Sequence, residues 1–135
     1  MRMRRVMLES PYRAATTSGR KLNAEYARLS MQDSLLRGEA PFASHLFYAG
    51  TGVLDDDQLG ERALGIEAGF ARGFACAQAW VAYIDLGVSP GMLKGIEFAE
   101  GLGFKVEERI LDGALRDDFL VVLRKWGKGD ARVKG

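Results

Sequence analysis

Of the 135 residues, one is a cysteine, Cys76, and one a histidine, His45. A single chain with that inventory cannot build a zinc or iron site of the usual Cys/His kind, nor a disulfide framework. Charge of one sign is also scarce: 19 basic residues against 18 acidic leave a net +1. That lacks the basic excess with which a dedicated nucleic-acid binder releases counterions, so nucleic acid is not an expected partner. No stretch approaches the ~20 apolar residues that cross a bilayer. The opening Met-Arg-Met-Arg-Arg continues only as Val6-Met7-Leu8 before Glu9, too short for the apolar part of an export signal. These absences point to a cytoplasmic protein in a reducing compartment, with no membrane partner. Only an oxygen-ligated ion such as Mg²⁺ stays open as a metal, at Asp55-Asp56-Asp57. The preferred reading of that run is an acidic helix start or a hydroxyl contact, and no metal site is assigned.

What is present is the balance of an ordinary globular domain, 47% hydrophobic and 27% charged. A first strand is expected over Arg5–Glu9, ended by Ser10-Pro11 because proline lacks the donor a ladder needs. Leu22, Tyr26, Leu29 and Leu36 mark a helix over Gly19–Arg37, stopped by Gly38. Ala40–Leu46 reads as a short strand running into a loop. Leu59, Ala63, Ile66, Phe70 and Phe74 recur at helical intervals and form one apolar stripe. Gly65, Gly69 and Gly73 line another face of that helix. Each costs about 1 kcal/mol of helix propensity against alanine, so they imply close approach, to another element or across a subunit interface. A homo-oligomer is expected on that ground. Ala79–Ile84 is almost wholly apolar, as suits a strand covered on both faces. Ser89 caps a further helix with Pro90 in its first position, and Leu102-Gly103 closes it. Lys105–Ile110 is expected as a fourth strand and Phe119–Trp126 as a fifth. Residues 1–126 thus form one domain, and the basic segment 127–135 a frayed, solvated tail.

Strand and helix alternating in this way make an α/β domain with a single open, mostly parallel sheet flanked by helices. Ligands of such folds sit beyond the carboxyl ends of the strands, near a switch point. The loops there are Ser10–Ser18, His45–Asp57 and Asp85–Met92. They carry Ser10-Pro11-Tyr12-Arg13, then Gly38-Glu39-Ala40-Pro41-Phe42-Ala43 leading to His45-Leu46-Phe47-Tyr48, Leu54-Asp55-Asp56-Asp57 and Glu61-Arg62. Trp80-Val81 and Ser89-Pro90-Gly91-Met92 follow. In order and spacing this set, across residues 5–110, resembles the small nucleoside 2-deoxyribosyltransferase-like proteins of bacteria and their phages.

The resemblance implies a flavodoxin-like fold acting on N-glycosidic bonds, with a carboxylate on the helix after the third strand attacking the anomeric carbon. Counted on this sequence, that position is Gly95, which has no side chain, and the aspartate often found after the cysteine is Ala77. The candidate carboxylates are therefore Asp85, in the loop after the third strand, Glu97, close to Gly95, and Glu9, at the end of the first strand. Glu97 lies about 200° round the helix from Gly95 and replaces it only if the helix starts or tilts differently. His45 is the one imidazole available for acid–base work near neutral pH; its competing role is a structural hydrogen bond. Ser10, Tyr12, Arg13, Ser89, Gly91 and Met92 are expected to shape the pocket, Tyr12 by stacking, Arg13 by pairing a phosphate, and the Ser89 turn by seating an anion or sugar. No organic cofactor is implied. The expected function is cleavage or (deoxy)ribosyl transfer at the N-glycosidic bond of a nucleoside or nucleotide. The alternatives are a silent nucleotide-binding protein on the same scaffold and an interaction module built on the glycine-lined helix.

Overall fold

The computed structural model describes residues 2–50, 52–55, 57–130 and 132. Its elements run β1 (Arg4–Glu9), α1 (Thr17–Leu36), β2 (Glu39–Phe42), α2 (Leu59–Cys76), β3 (Ala79–Tyr83), α3 (Pro90–Gly101), β4 (Glu107–Arg109) and α4 (Gly113–Trp126). The four strands form one all-parallel sheet in the order β2-β1-β3-β4. This is the winding of a flavodoxin-like sheet over its first four strands, and the chain is an α/β protein.

Alternation along the two central strands sorts the core into two layers. Val6, Leu8, Val81 and Tyr83 pack with Leu22 and Tyr26 of α1 and Leu115 and Phe119 of α4. Met7 and Trp80 point the other way, onto Ala99, Phe98 and Phe104. Both faces are covered over Val6–Leu8 of β1 and along β3, which is why those stretches are continuous apolar runs. Thr16 caps α1 by accepting from the Gly19 amide at 3.0 Å. Gly38 follows that helix at φ 85°, a left-handed turn that glycine makes without steric cost.

The expected fifth strand is not one. Phe119–Trp126 belongs to α4, which packs against α1, the Phe119 and Tyr26 rings 5.1 Å apart. The Phe-Leu-Val-Val-Leu run has strand-forming residues, but its burial follows a helix: Leu115 and Phe119 are buried while Leu120 and Val121 are exposed. Tertiary packing on α1 overrides local preference here. The second strand stops at Phe42, short of the expected Leu46, because His45–Ala49 turns as a π-helix with the Gly50 amide donating to the His45 carbonyl at 3.0 Å. The fourth strand is likewise shorter than Lys105–Ile110. The terminal segment, expected to fray, is packed where it is described: Asp130 is buried, and Arg132 Nη2 donates to Asn23 Oδ1 at 2.6 Å.

The glycine stripe of α2 serves contacts within the chain. A Cβ on Gly65 would meet Leu54 Cδ1 at 3.1 Å, one on Gly69 would meet Ser44 at 2.6 Å, and one on Gly73 would meet the Trp80 ring at 2.6 Å. Of the two readings of the stripe, close approach to another element is the one observed.

Candidate functional site

The order β2-β1-β3-β4 puts the change of winding direction between β1 and β3, and the crevice that this opens lies at their carboxyl ends. A cleft of about 640 Å³ occupies it. β1 contributes Glu9 to the floor, the loop after it Ser10, Tyr12 and Arg13, and the π-helical turn His45. The opposite wall is the start of α3, with Ser89, Pro90, Gly91 and Met92. The loops expected to converge do converge, and eight of the ten candidate residues line one space.

Each is held by local chemistry. Ser89 caps α3, its Oγ accepting from the Met92 amide at 3.2 Å, which aims the first turn of the helix at the cleft. Ser10 Oγ and His45 Nε2 share a hydrogen bond of 3.0 Å, and the Tyr12 ring meets the imidazole edge-on at 5.4 Å. Burial pushes His45 down to about 4, so the imidazole is neutral at pH 7. Its place is that of a hydrogen-bonding partner to Ser10 rather than a proton donor.

Glu9 is the centre of the site. The Trp80 indole donates to its Oε2 at 2.9 Å. Its carboxyl lies directly over Gly95 of α3: a Cβ there would stand 2.4 Å from Glu9 Cδ and Oε2 and 2.6 Å from Oε1. The bare α-carbon at 95 is thus the space that a carboxyl reaching over from β1 occupies. Burial pushes Glu9 up to about 7, against the Trp80 hydrogen bond, which pulls it down. A carboxyl in that range changes protonation state near neutral pH, which suits it to nucleophilic or acid–base work.

The other two carboxylates fall outside. The Asp85 side chain is fully buried on the α1/α4 side of the sheet, accepting from Tyr26 Oη at 2.6 Å, Arg116 Nη1 at 2.8 Å and the Leu111 amide at 3.1 Å. It ties β3 to the segment after β4, and with every oxygen committed it is an anchor, not a catalyst. Glu97 is exposed and does not line the cleft, because two residues along α3 carry it to the far side from Gly95.

Four further residues contribute to the cleft. Arg62, Ile66 and Phe70 line the cleft from one face of α2, and Arg20 does so from α1. Their signal was the spacing of four from Arg62 to Ile66 to Phe70, which continues a cation along an apolar stripe. Trp80, quoted above only as part of the resembling segments, adds the indole that holds Glu9. Of the acidic run, Asp57 lines the cleft and Asp56 lies outside the described residues. Among the described residues, no group of three or more His, Cys, Asp or Glu side chains is placed to hold a metal ion. Among the same residues, no helix is long and apolar enough to cross a membrane.

No curated protein and no solved structure matches the chain. A family model does, over residues 4–109, from the first residue of β1 to the last of β4, leaving α4 beyond it. The chain belongs to that family, DUF7768, a domain of unknown function.

Proposed function

We propose that the protein cleaves or transfers at the N-glycosidic bond of a nucleoside or nucleotide, with Glu9 as the attacking carboxylate. The observation that carries this reading is the Glu9 carboxyl lying in the space above Gly95 at the floor of the cleft. In the proteins this chain resembles, a carboxylate comes from that position of the helix. Here a glycine stands there, and β1 supplies the carboxyl instead.

In the proposed reaction, a Glu9 oxygen bonds to the anomeric carbon as the C–N bond breaks, through an oxocarbenium-like transition state. The bonding pair leaves with the base, which takes a proton from solvent. Water, or the ring nitrogen of an acceptor base, then attacks the same carbon and returns Glu9 as a carboxylate, the attacking group giving up its proton. Tyr12, Ile66 and Phe70 offer the apolar wall that a base needs, and Ser10, oriented by His45, offers a hydroxyl to the sugar.

A second reading, binding without turnover, is favoured by the Trp80 hydrogen bond that holds the carboxyl in place. One experiment separates the two: incubation with nucleosides and their 5′-monophosphates, following both binding heat and free base. Base release that Glu9→Gln abolishes supports catalysis; heat without base release supports the binder. Gly95→Ala is a further arm. Its Cβ displaces the carboxyl, the mobile end of a flexible side chain, so the fold persists while the rate falls. We also propose a cytoplasmic homo-oligomer, supported by the exposed Leu59, Leu64 and Phe74 of α2. Sedimentation of monomer alone would count against it.

A further inference from the structure

Along α3, Gly91 and Gly95 stand four residues apart, on one face and about 6 Å along the helix axis. Neither carries a side chain, so this face of the helix is open to whatever fills the cleft. Each glycine is met by one charged group from another element. The Glu9 carboxyl covers Gly95, and the Arg62 guanidinium lies beside Gly91, where a Cβ would stand 3.8 Å from Nη2. A carboxyl and a guanidinium therefore border the same bare helix face, each beside one of two glycines that stand one helical turn apart. Arg13 and Arg20 line the cleft as well, so its described charged groups are three arginines, Glu9 and Asp57.

That spacing is the span of a pentose between its anomeric carbon and a phosphate on its 5′ oxygen. We propose that the ligand of the cleft is a nucleoside 5′-monophosphate, its phosphate seated against Arg62 beside Gly91 and its anomeric carbon facing Glu9. The proposal rests on the glycosidic reading for the end at Glu9 and is independent of it for the end at Arg62. Arg13 and Arg20 add charge of the sign that a phosphate requires, and guanidinium is the side chain that pairs phosphate oxygens in a fork. A free nucleoside carries only a neutral hydroxyl at its 5′ end, which offers a guanidinium no charge to pair.

The test compares each nucleoside with its own 5′-monophosphate on the full chain, reading base release and, by calorimetry, binding. The expected result is kcat/KM higher for the monophosphate by roughly 10- to 100-fold, the worth of a charge-assisted pair. Arg62→Gln is expected to erase that preference through the KM of the monophosphate. Arg28→Gln, the same change of charge at an exposed site on α1, should alter neither. Equal turnover of the two forms would overturn the phosphate seat and leave the glycosidic reading standing. Monophosphates that bind through Arg62 without losing their base would uphold the seat and overturn the glycosidic reading. Neither binding nor release would overturn both.

Discussion

Glu9 and His45 share one cleft and are shifted in opposite senses by burial. Glu9 is raised from 4.5 to about 7. Its contribution to stability is fully present below pH 4.5 and is lost as pH rises through about 7. His45 is lowered from 6.5 to about 4, so its contribution is present above pH 6.5 and is lost as pH falls through about 4. Between those limits the two slopes oppose, and the stability of the parent should change little with pH. Glu9→Gln removes one slope. Relative to the parent, the variant is expected to gain between pH 5 and pH 8, by up to ~3 kcal/mol, visible as a widening difference in Tm. A difference that stays constant over that interval would show that the carboxyl is not raised. For the reaction, attack by ionised Glu9 means that kcat/KM climbs through pH 7 and then levels. A rate falling over the same range would make Glu9 the proton donor.

At the scale of elements, α2 shows how a helix can be specified by what it lacks. Its fully buried residues are Gly69 and Gly73, while several of its large apolar side chains stand exposed. Gly73→Ala drives a methyl into the rigid Trp80 ring, behind which Glu9 is held. We expect a loss of about 1–3 kcal/mol, read from the urea midpoint. Gly69→Ala presses on Ser44, next to His45, and should cost stability too. Gly60→Ala meets nothing within 4 Å and should stabilise by up to ~1 kcal/mol through helix propensity alone. Equal effects at 60 and 73 would show that close packing is not the reason for the glycines. α4 makes the opposite point. Val121 and Val122 argue locally for a strand, and only the docking of Leu115 and Phe119 on α1 makes the segment a helix.

Across the whole molecule, the two outer strands β2 and β4 are tied together by a buried charged network. Arg109 of β4 donates to Glu39 of β2 at 2.7 and 2.9 Å, Ser34 donates to the same carboxylate at 2.8 Å, and Arg4 reaches it from β1. These bonds hold Glu39 down at about 2, the Arg109 guanidinium foremost. Its contribution is therefore present above pH 4.5 and is lost as pH falls through about 2. Removing one partner leaves a buried charge behind. Arg109→Met should cost ~3–5 kcal/mol in urea, and Glu39→Gln added to it should restore a large part. A double variant no more stable than the single would show that the cost comes from lost packing rather than the stranded carboxylate.

The amino-acid sequence by itself determined the alternating α/β pattern, the helix start at Ser89, and the loops that gather at one end of the sheet. Those are consequences of periodicity, caps and turns, which act over a few residues. Only the tertiary structure decided which carboxyl reaches the cleft. Glu9 and Gly95 are 86 positions apart, so no local pattern couples the missing Cβ of one to the seat of the other. Asp85 and Glu97 sit in the expected stretch of chain, yet a hydrogen-bond network and a helix rotation take them out of the site. Burial and proximity are properties of the packed molecule, and the proton affinity of Glu9 follows from them alone.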